Sequence, residues 1–267
     1  MKNFEIGWFS TGRDKAAIDL LETVQKAIRQ GEIREAEIEF VFCNRKMRES
    51  QITDQFLTFV NHDQCLPFAT LSSKEFRPEL RVKNLKEWRR KYDLEVIRRI
   101  KEFPPVDLIV LAGYMLIVSE KLCRRYKMIN LHPAAPGGPQ GTWREVILRL
   151  IESRAKENGV MMHLVTPQLD AGPPVTYCTF SIRDDLNEGL WIGAEENYKG
   201  YLETLFWDIR DRGLRREFPL IITTLKAFSE GKIKIDQKNK KILNAEREVV
   251  NGYNLTEEID SVIKEKT

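Results

Sequence analysis

The stretch Asp107-Leu-Ile-Val-Leu-Ala112 constrains the fold more than any other part of the chain. After Asp107 it is apolar throughout, and a run of this kind does not suit a strand with one wet face. It suits a strand buried on both faces, as in the middle of a parallel sheet. The sequence around it alternates between strand and helix. Phe4 to Phe9 is a short, mostly apolar run that stops at Ser-Thr-Gly, and Ala17, Leu20, Leu21, Val24, Ala27 and Ile28 then repeat at helical spacing. Ile38 to Cys43, Pro67 to Leu71, Met128 to Leu131 and Val160 to Val165 read as further strands. Helices are expected over Ile52 to Val60, over Leu85 to Ile100, and from Trp143 onward. The pattern predicts an α/β fold, a mostly parallel central sheet flanked by helices, with ligands at the carboxyl ends of the strands.

From about 184 to 216 the chain turns helical and strongly charged, as a helical insertion would. Residues 236–267 carry six basic and seven acidic residues and few apolar ones, so a C-terminal extension, either a peripheral helix or a mobile tail, is expected after a main domain of 1–235. Lys plus Arg number 43 against 40 for Asp plus Glu, and a balance of +3 argues against nucleic acid as the main partner. No apolar run approaches the roughly 20 residues that span a bilayer, and the N-terminus has no signal-peptide pattern. A cytoplasmic protein with no membrane partner is expected. The four cysteines lie far apart and there are three histidines, so no disulfide framework and no metal site is expected.

Two segments after predicted strands carry chemistry. In Asn130-Leu-His132-Pro133, an extended backbone points Asn130 and His132 to the same face. A carboxamide and an imidazole there can donate to one oxygen, as an acyl-transfer oxyanion needs; equally, His132 can cap a strand while Asn130 satisfies a turn. The Gly/Pro-rich run 134–141 behind them is a loop able to approach a ligand closely. In Leu169-Asp170-Ala-Gly-Pro173, Asp170 is either a turn residue or a carboxylate that orients an imidazole and relays a proton.

Asn-x-His-Pro followed by Leu-Asp-x-Gly-Pro resembles the signature of the 10-formyltetrahydrofolate-dependent formyltransferases, nearest to their purine-synthesis branch, the phosphoribosylglycinamide formyltransferases. Asp107 to Met115, His163 to Thr166, Phe218-Pro-Leu220 and Gly231 to Ile235 are similar to other parts of that family. The resemblance covers about residues 3 to 235. It implies a Rossmann-like formyltransferase fold and a catalytic trio of Asn130, His132 and Asp170. It implies 10-formyltetrahydrofolate as co-substrate, with no metal. The pterin is expected against Met115, Leu116, Ile117 and Val118 and against Val165 and Thr166. A phosphorylated small-molecule amine is the implied acceptor, glycinamide ribonucleotide first, and a homodimer is the expected assembly.

The chain departs from the family pattern mainly on the acceptor side. Ser10-Thr11-Gly12-Arg13-Asp14-Lys15 replaces the purine branch's Ser-Gly-x-Gly-Ser-Asn. The turn still precedes a helix N-terminus, which attracts anions, so Gly12, Arg13, Asp14 and Lys15 are expected to hold the substrate phosphate; otherwise Arg13 and Lys15 are solvated turn residues. Ala134-Ala-Pro-Gly137 replaces the usual residues after His-Pro. Leu214, followed by Arg215 and Arg216, stands where the branch has a substrate-binding Glu. Two alternatives therefore stay open: formyl transfer to another amine (an amino sugar nucleotide or methionyl-tRNA), or hydrolysis of formyltetrahydrofolate. A nicotinamide enzyme is disfavoured because no Gly-x-Gly-x-x-Gly follows the first strand.

Overall fold

A computed structural model of the chain describes residues 3–265. Strand β1 (Phe4–Ser10) is buried over most of its length and ends at the turn 11–14. Gly12 adopts φ +57°, and a Cβ there would stand 2.7 Å from the Phe56 ring, so this turn admits only glycine without rearrangement. Asp14 caps helix α1 (Lys15–Arg29), its carboxylate accepting the Ala17 N–H at 3.2 Å.

Strand β2 (Ala36–Cys43), helix α2 (Gln51–Thr58) with a π-helical turn at 59–63, and strand β3 (Phe68–Thr70) follow. Helices α3 (Pro78–Lys83) and α4 (Leu85–Ile100) lead to β4 (Leu108–Leu111), α5 (Glu120–Arg125), β5 (Met128–His132) and α6 (Trp143–Glu152). Strands β6 (Glu157–Leu164) and β7 (Pro174–Ser181) come next with no helix between them. Helices α7 (Glu188–Glu195) and α8 (Tyr201–Ser229) complete the layer.

Beyond α8 lie the short strands β8 (Lys234–Asp236), β9 (Lys241–Leu243), β10 (Val249–Val250) and β11 (Tyr253–Asn254), then helix α9 (Thr256–Glu265).

The main sheet has the order β11-β7-β6-β5-β4-β1-β2-β3. Strands β3, β2, β1, β4 and β5 run parallel, β6 is antiparallel to both β5 and β7, and β11 is parallel to β7. The sheet is thus mostly parallel. The chain builds outward from β1 through β2 to β3, then returns to β4 on the other side of β1. Strand order reverses between β1 and β4, and a crevice at their carboxyl ends is the ligand position such a sheet provides.

Each face of the sheet has its own core. Trp8 packs on one side with Leu21, Val24 and Leu220; Phe9 packs on the other with Phe40, Phe42, Trp88 and Tyr92. Alternation along β1 sends neighbouring aromatics to opposite layers. Helix α4 is pinned by Trp88 Nε1 donating to Phe76 O at 2.6 Å and Tyr92 OH donating to Leu71 O at 2.6 Å.

The helical region expected over 184–216 holds two helices, α7 and α8, and α8 continues through Pro219 to Ser229. A proline inside a helix costs about 3 kcal/mol, but Leu220, Ile221 and Leu225 beside it are fully buried and offset that cost. Residues 236–265 dock on the main body. β11 adds an edge strand beside β7, Ile259 of α9 is fully buried, and Asp260 pairs with Arg216 of α8 at 2.8 Å. Among the described residues no helix is long and apolar enough to cross a membrane.

Candidate active site

A cavity of about 600 Å³ opens at the carboxyl ends of β1, β4 and β5, within the range of small-molecule sites. Asn130 and His132, alternate residues on β5, both line it. Because β6 runs antiparallel to β5, His163 stands directly opposite Asn130. The register of β6 against β7 shifts at Met162/His163, the kind of irregularity that re-aims a side chain beside a site.

Asn130 Nδ2 lies 3.0 Å from His163 Nε2, and His163 Nδ1 lies 3.0 Å from Leu164 O. A carbonyl only accepts, so Nδ1 carries the proton and Nε2 accepts from the Asn130 amide. One amide proton of Asn130 is thereby fixed, and the other is left for the cavity.

Asp170 comes from the loop between β6 and β7, with φ +45°. That left-handed conformation is uncommon outside glycine, though Asp and Asn tolerate it best. Gly172 lets the loop close: a Cβ there would sit 1.6 Å from Leu164 O. The Asp170 carboxylate lies between two imidazoles, Oδ2 3.5 Å from His132 Nδ1 and Oδ1 3.6 Å from His163 Nε2.

The loop 133–141 clasps both partners. Pro139 O lies 2.9 Å from His132 Nε2, and the Gly141 N–H donates to Asp170 Oδ2 at 3.0 Å. Since Pro139 O cannot donate, His132 Nε2 bears a proton.

The electrostatics follow from this packing. Burial pushes the His132 pKa below its ordinary value, only partly countered by Asp170 and the Pro139 carbonyl. Burial alone would raise the Asp170 carboxyl. The flanking imidazoles of His163 and His132 and the Gly141 N–H favour the charged form and outweigh it, and its pKa falls below the usual value. At neutral pH the site therefore holds an ionised carboxylate beside an imidazole that donates from Nε2.

Met115, Leu116, Ile117, Val118, Val165 and Thr166 all line the cavity. So do Arg13 and Asp14, which pair at 3.6 Å. Lys15 turns outward, its side chain 81% exposed and paired with Asp19 at 2.6 Å. Gly12 shapes the turn from behind, against Phe56.

Sequence reasoning missed several lining groups. His163 could have been found from its place opposite Asn130 once β5 and β6 were recognised as neighbours. Arg210 and Glu217, two helical turns apart on α8, also line the cavity and form a mostly buried pair at 2.6 Å. Arg210 Cζ stands 4.7 Å from the Trp143 ring, close enough for cation–π attraction. A lining carboxylate is thus present at Glu217, three residues beyond Leu214. Elsewhere the wall holds Arg81, Trp88 and Arg89, with Arg81 Cζ 4.8 Å from the Trp88 ring.

The doubly wound sheet, with donors and a carboxylate converging at its switch point, defines an α/β enzyme acting on small molecules. Residues 19–203 match the formyl transferase family, and the chain belongs to it. It is 37% identical over 92 residues to the phosphoribosylglycinamide formyltransferase of Dictyostelium discoideum, covering 30% of this chain and 44% of that protein. To the Escherichia coli phosphoribosylglycinamide formyltransferase it is 26% identical over 167 residues, covering 62% of this chain and 68% of that one. The chain therefore spans less than half the length of the Dictyostelium relative.

Among solved structures, the phosphoribosylglycinamide formyltransferase from Coxiella burnetii superposes with a TM-score of 0.68 at 21% identity, covering 95% of this chain and all of that one. A formyltetrahydrofolate deformylase from Pseudomonas syringae superposes with a TM-score of 0.63 at 20% identity, covering 91% and 66%. At these identities the two likenesses establish the fold.

Proposed function

We propose that the protein transfers the formyl group of 10-formyltetrahydrofolate to the amine of glycinamide ribonucleotide. The convergence of Asn130, His132 and Asp170 on one cavity carries the proposal. The amine nitrogen attacks the formyl carbon, and negative charge grows on the formyl oxygen. The free amide proton of Asn130 and the Nε2–H of His132, exchanged from Pro139 O, donate to that oxygen. Asp170 accepts the surplus proton of the attacking nitrogen, and that proton is passed on to N10 of the folate as its bond to the formyl carbon breaks.

Main-chain groups of 115–118 and the wall at Val165 and Thr166 suit the flat pterin. Arg81 and Arg89, beside apolar Leu85 and Trp88, suit the carboxylates at the other end of a folate. On the acceptor side, Arg13 supplies a cation for the phosphate and Glu217 a carboxylate for the polar groups near the amine. The reading takes 1–235 as the catalytic domain and 236–267 as an extension, in a cytoplasmic enzyme with small-molecule partners.

The test is to incubate the protein and 10-formyltetrahydrofolate with glycinamide ribonucleotide, an amino sugar nucleotide, methionyl-tRNA or no acceptor, and to identify products by mass. Formylated glycinamide ribonucleotide is expected. Formate release at the same rate without any acceptor would replace transfer with hydrolysis.

A further inference from the structure

The cavity is walled by two loops from neighbouring strands, 11–14 after β1 and 113–119 after β4, and Thr11 joins them. Thr11 is 2% exposed. Its N–H donates to Gly113 O at 3.1 Å, and its Oγ1 accepts the Met115 N–H at 2.8 Å. Its own carbonyl accepts the Cys43 thiol at 3.6 Å, and the next carbonyl, Gly12 O, accepts from Thr53 Oγ1 at 2.9 Å. The first loop is thus held from below by β2 and α2, and it holds the second from the side. Gly113, at φ +70°, is the bend in that second loop.

We propose that Thr11 is a positioning residue that couples the two half-sites. A ligand that orders Arg13 and Asp14 fixes Thr11, and Thr11 Oγ1 then fixes the Met115 amide where the pterin is read. The inference rests on the proposed assignment of the two half-sites to acceptor and folate. Thr11 itself lies behind the cavity wall and does not line it. Because coupling between two binding events is reciprocal, each ligand tightens the other by the same factor. The side-chain bond to Met115 is worth roughly a 3- to 10-fold effect.

Tetrahydrofolate and glycinamide ribonucleotide cannot react with each other, so both can be held together on the intact chain. The experiment measures the dissociation constant of tetrahydrofolate with and without saturating glycinamide ribonucleotide, and the reverse. In the unaltered protein each should lower the other's constant by roughly 3- to 10-fold. Thr11→Val keeps the shape and removes the acceptor, and both ratios should fall to within about 2-fold of unity. Thr11→Ser keeps the hydroxyl and should restore them. Where Thr11→Val does not fold, Thr11→Ala takes its place.

A merely structural role would shift both constants and leave the ratio intact, which would overturn the inference. So would an unaltered protein that binds both ligands independently. If the unaltered protein binds no tetrahydrofolate, the folate assignment itself fails, a result distinct from loss of coupling alone.

Discussion

His163 Nε2 lies 3.0 Å from the Asn130 carboxamide, directly across the β5–β6 ladder. The contact sets which way the amide faces, because the proton on His163 Nδ1 leaves Nε2 free only to accept. Replacing His163 with Phe should leave Asn130 free to rotate. Turnover should fall ~10- to 100-fold, the cost typical of a misplaced catalytic group. The folate dissociation constant should stay within about 3-fold. Steady-state kinetics alongside equilibrium binding checks both halves.

Asp14 occupies the helix end where an acceptor phosphate is expected, capping Ala17 N–H with its own carboxylate. Its negative charge competes with any anion there. Asp14→Asn keeps the cap and removes the charge, so inorganic phosphate should bind about 2- to 5-fold more tightly. Arg13→Ala should shift binding the other way. Calorimetric titration with phosphate, at low and then high salt, reads both.

Asp93 on α4 is 3% exposed and accepts the Ser119 N–H at 2.5 Å, and burial raises its pKa from 3.8 to about 6. The folded protein therefore binds this proton more tightly than the unfolded chain does. Stability from this group falls as pH rises between about 4 and 6 and is level above that. The total is about 3 kcal/mol at 1.36 kcal/mol per pKa unit. Asp93→Asn should flatten that slope and raise the thermal midpoint at pH 7.5 relative to the unaltered protein. Unfolding scans from pH 4 to 8 test it.

The Arg210–Glu217 pair has side chains 11% and 6% exposed. Removing one partner strands the other charge, so Arg210→Met should cost about 3 kcal/mol. Adding Glu217→Leu to that variant should recover most of the loss. A double-mutant cycle by urea unfolding gives the coupling.

The sheet was legible because its strands are locally self-consistent. Asp107 to Ala112 is apolar in all but its first residue, and its Leu108–Leu111 became β4 with all four strand residues buried. Asn130 and His132 were legible for a similar reason, since alternation on a strand decides where side chains point. His163, Arg210 and Glu217 depend on which elements become neighbours. Nothing local to β6 says it will lie antiparallel beside β5, and nothing in α8 says two residues seven apart will face a cavity formed by other strands. Pro219 sits inside α8, where burial of the neighbouring Leu220 and Ile221 outweighs the local cost of a proline. Lys15, grouped with Arg13 and Asp14 by sequence proximity, turns away because it opens α1 and pairs along that helix with Asp19, whereas Arg13 and Asp14 belong to the turn before it.

The most direct test of the proposed chemistry is turnover of Asn130→Ala and Asp170→Asn with 10-formyltetrahydrofolate and glycinamide ribonucleotide, with folate binding measured in parallel. Loss of one oxyanion donor typically costs ~10²–10³ in turnover, and Asp170→Asn should be comparably damaging because it removes the proton acceptor. Both variants should still bind folate, whose expected contacts lie at 115–118. The double variant should lose far less than the product of the singles, since both groups act on one transition state. Near-native turnover in both single variants would contradict the formyl-transfer mechanism proposed for this site.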